Sequence, residues 1–315
     1  MSLSSGRFII GADVVTPTGM NLEMALSVAK ADLSLFSQKS VENKPERFTY
    51  ANVEFLSSDD QEERSVEMLN ILINSLLKQI PKPLKPIPLY VSIPDVLKTH
   101  SVKEKLEQLE CNRWISNITL CHSTGIQFLQ KSLKALDRSD ALLSICVDSL
   151  YHRCPELIED GVVMSDENPW GLIPSEGAGG LILTKANILD TLKIKPLAEF
   201  GQLLSEHSDD RRGMMRLIRE VSKTNECLGN VYSNMTNKRS ETEAYGFAIG
   251  ARAEKFTNPQ QPFLINTLWG SLGESSVNTL ISTVINEQTS NNLASLFLFS
   301  QSNENAIITM KKHLH

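Results

Sequence analysis

The stretch Ala141-Leu142-Leu143-Ser144-Ile145-Cys146-Val147 constrains the fold more than any other part of the chain. It is almost wholly apolar, does not alternate, and is bounded on its N-terminal side by the polar Asp137-Arg138-Ser139-Asp140. Such a run is too short for a typical helix and reads as a strand buried on both faces, the situation of strands in a covered parallel sheet. What precedes it fits. Trp114 to Leu120 reads as a strand, Cys121-His122-Ser123-Thr124-Gly125 as a tight turn, and a helix follows with Ile126, Leu129, Leu133 and Leu136 on one face. Later in the chain the same succession returns: Phe263 to Asn266 as strand, Thr267 to Gly273 as turn, then a helix carrying Val277, Leu280, Ile281 and Val284. Two strand-turn-helix units of this kind predict an α/β protein of two related halves, assigned as 1–190 and 191–315.

Other elements fall around this frame. Phe8-Ile9-Ile10 and Val14-Val15 read as strand, Thr16-Pro17-Thr18-Gly19 as a turn, and Asn21 as the cap of a helix bearing Leu22, Ala25, Leu26 and Ala29. Residues 61–80 read as a strong helix, with Val66, Leu69, Ile73, Leu76 and Leu77 on its stripe; the run Pro81 to Pro88 ends it, and Leu89 to Ile93 reads as a strand. Ser175-Glu176-Gly177-Ala178-Gly179-Gly180 leads into Leu181-Ile182-Leu183.

Composition removes several functions. A chain of 315 residues with 41% apolar and 22% charged side chains can bury a substantial core. Its net charge of −6 and the lack of a basic stripe argue against a nucleic-acid partner. No stretch of 18 consecutive apolar residues exists, so no membrane span is expected. The first residues carry no charged segment followed by an apolar one, and the five cysteines form no CxxC pair; a cytoplasmic location is expected.

Cys121-His122 lies where a strand runs into a helix, and a helix N-terminus lowers a thiol's pKa and presents N–H groups to an oxyanion. The pair is therefore either a nucleophile site or a small cysteine packed under a helix. His152-Arg153-Cys154 offers two metal ligands without a matching second pair, so no metal is expected. The Gly177 to Gly180 run enters a strand instead of leaving one, which argues against a dinucleotide site; no cofactor is expected, and these glycines are read as points of close backbone packing.

The order of these pieces resembles the β-ketoacyl-acyl-carrier-protein synthases of the thiolase superfamily. Ile10 to Gly19 is similar to their opening "TGxGxVSPxG", Cys121 to Gly125 to the nucleophile turn "TACxxG", and Val147-Asp148-Ser149 to "GGxDS". Ser175 to Gly179 resembles "GEGAG", Glu241-Thr242-Glu243-Ala244 the "ETEA" run, and Phe297 to Asn303 the closing "FGFGGTN". The resemblance implies a thiolase-like fold, layered α-β-α-β-α from two related βαβαβ-type halves. It also implies a site in which a cysteine attacks an acyl thioester and two histidines assist decarboxylative condensation. Here a gapless alignment puts His122 at the nucleophile position, whereas a one-residue shift restores Cys121. Tyr232 falls at the histidine of "NxHGT" and Gly270 at that of "GHxxGAAG".

This degenerate set, Cys121, His122, Tyr232 and Gly270, resembles that of a chain-length factor. The implied function is a non-catalytic subunit that pairs with an active ketosynthase in fatty-acid, polyketide or aryl-polyene-type synthesis, with an acyl carrier protein as a further partner. The alternatives are an active thiolase-fold acyltransferase using Cys121 and a homodimeric scaffold without an acyl site. Two structural expectations follow. Cys121 and His122 should be mostly buried beside Tyr232 and Trp269, a filled version of the site. The strand before the turn, through Ile115, Ile118 and Leu120, should pair with its counterpart across a two-fold axis, giving a homodimer when the protein is alone.

Overall fold

The computed structural model describes residues 6–31, 33, 35–41, 44–289, 291–300 and 302–313. Residues 1–5, Gln301 of the closing motif and His315 lie outside the described residues. The first half holds five main strands: β1 (Arg7–Val15), β4 (Ile87–Ser92), β5 (Ile115–Cys121), β6 (Ala141–Ser149) and β7 (Glu176–Lys185). A separate hairpin, β2 (Ser37–Ser40) with β3 (Arg47–Tyr50), lies between β1 and β4 in sequence. The second half holds β8 (Ala198–His207), β9 (Asn230–Ser233), β10 (Phe263–Leu264), β11 (Leu293–Phe299) and β12 (Glu304–Lys312).

The spatial order is β5-β4-β6-β7-β1 in the first half and β10-β9-β11-β12-β8 in the second. Both run third, second, fourth, fifth, first. In each half the three strands on the outer side are parallel, and the fifth is antiparallel to both of its neighbours. The halves join through a short antiparallel contact of β1 with β8, Phe8 opposite Glu199 and Ile9 opposite Ala198.

Helices fill three layers. Between the halves stand α1 (Leu22–Lys30), α4 (Gly125–Ala135) and α10 (Ser276–Asn286), whose Leu26, Leu129 and Leu280 share one core with Leu142 and Leu181 of the first half and Leu296 and Ile308 of the second. On the far face of the first half lie α2 (Gln61–Gln79) and α3 (Thr99–Glu107); on that of the second, α7 (Gly213–Val221) and α8 (Arg239–Arg252). Short helices α5 (Cys154–Glu159), α6 (Ala186–Leu192) and α9 (Asn266–Trp269) complete the chain. The architecture is the expected α-β-α-β-α stack.

Local rules explain most element ends. Asn21 accepts from the Met24 N–H and caps α1; Asp60 accepts from Glu63 and caps α2; Thr124 accepts from Gln127 and caps α4. Strand β6 is buried along its whole length, with Leu142 turned toward the middle layer and Leu143, Ile145 and Val147 toward α2. The glycine run of β7 allows close helix approach: a Cβ on Gly179 would lie 2.4 Å from the Thr279 N–H nitrogen of α10.

Three sequence expectations need correction. Strand β4 begins at Ile87 and includes Pro88; its pairing with β5 shifts between Ile87 and Leu89, and its pairing with β6 starts only at Leu89, because proline has no N–H for the ladder. Trp114 is not in β5 but in a 3₁₀ turn before it, its exposed ring between the cations of Lys85 and Arg113 at 5.5 Å each. The Phe263 to Asn266 stretch is strand for only two residues. Asn266 starts the one-turn helix α9, which Gly270 ends at φ +75°, a conformation that favours glycine.

Candidate active site and its relatives

The C-terminal end of β5 and the N-terminus of α4 meet at the proposed nucleophile turn. Cys121 is the last residue of β5; it pairs with Ser92 of β4, is half-buried, and its sulfur accepts from Ser123 Oγ at 3.5 Å. His122 is exposed. Its Nδ1 lies 3.3 Å from the Ile93 carbonyl oxygen and 3.7 Å from Asp95, and its ring lines a cavity of about 710 Å³. Cys121 does not line that cavity. The expected collapsed site is therefore corrected: the turn opens on a cavity, to which it presents His122, Ser123 and Thr124 but not Cys121.

The cavity is acidic. Asp95, Asp148, Glu156 and Glu274 line it, against Arg153 and His122. Glu274 takes the donor that a helix N-terminus offers: the Gly125 N–H, first of α4, donates to Glu274 Oε2 at 2.6 Å. Asp148 in turn accepts from the Glu274 N–H at 2.7 Å and from the Ser149 N–H at 2.8 Å. Glu304 accepts from Thr124 Oγ1 at 3.1 Å. Burial, with Asp148 and Glu304 nearby, pushes the Glu274 carboxyl up to about 7. Burial also raises Asp148 above the usual carboxylate range.

Beyond Glu274 is a second, small cavity of about 30 Å³, lined among others by Asn234, Gly270, Ser271 and Ser276. Gly270 thus lines a cavity that Glu274 also borders. Tyr232 does not. It lies inside β9, is 2% exposed, and packs its ring 5.8 Å from Phe263 with the Lys312 ammonium 5.9 Å away. Trp269 is fully buried, donating its indole N–H to Thr18 Oγ1 at 2.7 Å. Both rings belong to the middle-layer core and fill no part of either cavity.

The residue that turns from the end of β9 into the small cavity is Asn234. It is fully engaged: Nδ2 donates to Ser276 Oγ and to the Phe299 carbonyl at 2.9 Å each, and Oδ1 accepts from the Phe299 N–H at 2.8 Å. The sequence held a signal for this, since Asn234-Met235-Thr236 keeps the threonine two places after the motif position. Thr236 is held by Glu241, which accepts from its N–H at 2.6 Å and from its hydroxyl at 3.0 Å.

Ile115, Ile118 and Leu120 pack on the core beneath α2 and α3, while Ser116, Asn117 and Thr119 face outward along β5, the outermost strand of its half. His152 shares Ser149 Oγ at 2.7 Å in a buried network with Glu176 and Arg64. Among the described residues no group of His, Cys, Asp and Glu is arranged to hold a metal, and no helix is long and apolar enough to cross a membrane.

No family model matches the sequence, and no curated protein matches it. Solved structures do. A type II polyketide synthase acyl-carrier protein in complex with its ketosynthase bound to the hexaketide superposes with a TM-score of 0.73 at 13% identity, over 99% of this chain and 100% of that one. The fold is that of the ketosynthases. The ishigamide ketosynthase/chain length factor gives 0.71 at 11% identity over 98% and 99% of the two chains. A β-ketoacyl synthase from Burkholderia phymatum gives 0.69 at 10% identity over 98% and 100%. The turn into α4, the end of β9 and the segment leading into α10 converge here and bring His122, Asn234 and Glu274 around two adjoining cavities.

Proposed function

We propose that the chain is a non-catalytic, chain-length-factor-like subunit that pairs with an active β-ketoacyl synthase in fatty-acid, polyketide or aryl-polyene-type synthesis. The observation that carries this reading is the lining of the His122 cavity. Its one nucleophile-position side chain is an imidazole, no cysteine reaches it, and the N–H at the head of α4 is already engaged by the Glu274 carboxylate. An acyl oxyanion forming at this turn has no free donor from Gly125, and loss of one such donor costs roughly 10²–10³ in rate. A malonyl carboxylate entering the cavity meets an acidic lining of Asp95, Asp148, Glu156 and Glu274. Gly270 supplies no side chain, and Asn234 spends its amide on Ser276 and Phe299.

The partner surface proposed is the free edge of β5. Its outward residues Ser116, Asn117 and Thr119 are uncharged, and an uncharged open edge is a template for another strand. The occupant is an active ketosynthase in the cell and a second copy of the chain when the protein is alone; the acyl carrier protein is then served by the pair. The halves 1–190 and 191–315 act as one body in this role. Co-expression with an active β-ketoacyl synthase of the same organism tests the proposal: a stoichiometric complex, lost when the β5 edge is charged, is expected. A chain that stays homodimeric in the presence of that ketosynthase indicates the scaffold reading instead.

A further inference from the structure

We infer that a second copy of the chain seats on the β5 edge in one register, with its Arg113 paired to Asp95 and its Trp114 laid on Val96 at the mouth of the His122 cavity. The reverse pair forms at the other end of the strand. The inference rests on the free β5 edge proposed above and adds what selects the occupant and the register. β5 is an outermost strand of seven residues, Ile115–Cys121, and the chain offers different chemistry at its two ends.

At the N-terminal end stands Trp114, 43% exposed, with the Lys85 ammonium and the Arg113 guanidinium each 5.5 Å from its ring. Neither cation has a carboxylate at ion-pair distance among the described residues; Glu107 pairs with Lys103 on its own helix, and Glu62 with Lys105. At the C-terminal end the Ile93 N–H donates to the Cys121 carbonyl at 3.1 Å, and the chain then turns through Asp95 and Val96 beside His122. Val96 is 64% exposed, the most exposed large apolar side chain among the described residues. The Asp95 side chain is 91% exposed, and its one ion-pair contact is His122 Nδ1 at 3.7 Å. Glu156, a further carboxylate of that cavity, is taken by Arg153 at 3.4 Å. One end thus carries an exposed ring with unspent cations, the other an exposed apolar side chain with an open carboxylate. The turn before β5 also holds Glu110, so the match lies in one residue on each side and not in two broad fields.

Two-fold symmetry brings these unlike ends together. A two-fold axis normal to the sheet sets an edge strand antiparallel to its copy, and every contact of residue i with j recurs as j with i. Pairing along the whole strand puts the axis at Ile118, with Asn117 opposite Thr119 and Ile115 opposite Cys121. Trp114 then falls opposite His122, and Arg113 opposite Ser123. Paired strands stand about 4.8 Å apart, within the span of an indole or an arginine side chain, so both reach Val96 and Asp95. A parallel approach would instead set Arg113 against Arg113 and Asp95 against Asp95, like charge on like charge. The second copy thereby adds two side chains to the mouth of the cavity that Asp95, Val96 and His122 line.

Sedimentation equilibrium of the purified chain measures the dimer dissociation constant. The side chains to be altered are exposed, so each variant keeps its fold. Arg113→Glu and Asp95→Arg each place two like-charged pairs in the dimer, and each is expected to raise the constant about tenfold or more. Trp114→Ser, which uncovers Val96 twice, is expected to raise it about tenfold. Arg113→Glu combined with Asp95→Arg restores opposite charges with the ends exchanged, and is expected to return to within about threefold of the wild type. A single variant that dimerises as the wild type does, or a charge exchange no tighter than its two components, overturns the inference. Asn117→Lys with Thr119→Lys separates this from the edge itself. If that pair gives a monomer while the end variants dimerise normally, the edge reading stands and the clamp at its ends is overturned. If all variants keep the wild-type dimer, both are overturned, and a wild type that stays monomeric at every concentration overturns the inference outright.

Discussion

Arg64 and Glu176 form an ion pair that is almost fully enclosed, with side chains 4% and 0% exposed. Glu176 opens β7 and also accepts from the Val53 N–H at 2.9 Å, while Arg64 donates to the carbonyls of Ser58 and Val53 at 2.7 Å each. Every polar atom of the pair is thus used, which makes the network tolerable in the core. Arg64→Ala would strand the Glu176 charge, and a loss of about 3–5 kcal/mol is expected in urea unfolding. At the same scale Glu274 gives a signature in pH. Its folded carboxyl holds a proton up to about 7, against 4.5 for the ordinary group, so the folded state binds more protons than the unfolded state between those values. Stability from this residue therefore falls as pH rises from 4.5 to 7 and is level above. Unfolding midpoints of the wild type and Glu274→Gln, measured from pH 4.5 to pH 8, are expected to diverge in favour of the Gln variant as pH rises and then run parallel.

At the scale of elements, the contact of α10 with β7 depends on the absence of a side chain. A Cβ on Gly179 meets the Thr279 nitrogen at 2.4 Å and Thr279 Oγ1 at 2.6 Å, backbone and a buried hydroxyl that cannot easily move. Gly179→Ala is expected to cost about 1–3 kcal/mol, read from its thermal unfolding midpoint. The strand β5 behaves differently on its two sides. Ile118 packs inward on the α2 core, so a charge there would damage the fold and report nothing of assembly. Asn117→Lys with Thr119→Lys changes only the outward row. Light scattering is expected to show a folded monomer for this double variant and a dimer for the wild type. An unchanged dimer mass would place the interface elsewhere.

For the whole molecule, the layered stack was legible in the sequence because burial on both faces writes itself as unbroken apolar runs, as in Ala141 to Val147, and because small residues mark where helices cross strands. The site was less so. Motif letters located the turn at 121–125 and the neighbourhood of Gly270, but not the direction in which each side chain points. Two residues decide this: Tyr232 lies within β9 and faces the core, whereas Asn234 lies past its end and faces the cavity. The carboxylates were harder still. Glu304 reaches Thr124 across 180 positions of sequence, and Glu274 reaches Gly125 across 149, contacts that no local pattern encodes. The central claim is that this ketosynthase fold carries no working condensation site. Decarboxylation of malonyl-carrier protein by the purified chain tests it most directly. No release of carbon dioxide above the carrier protein alone is expected, with no change in Cys121→Ala or His122→Ala; turnover that either substitution abolishes would contradict the account.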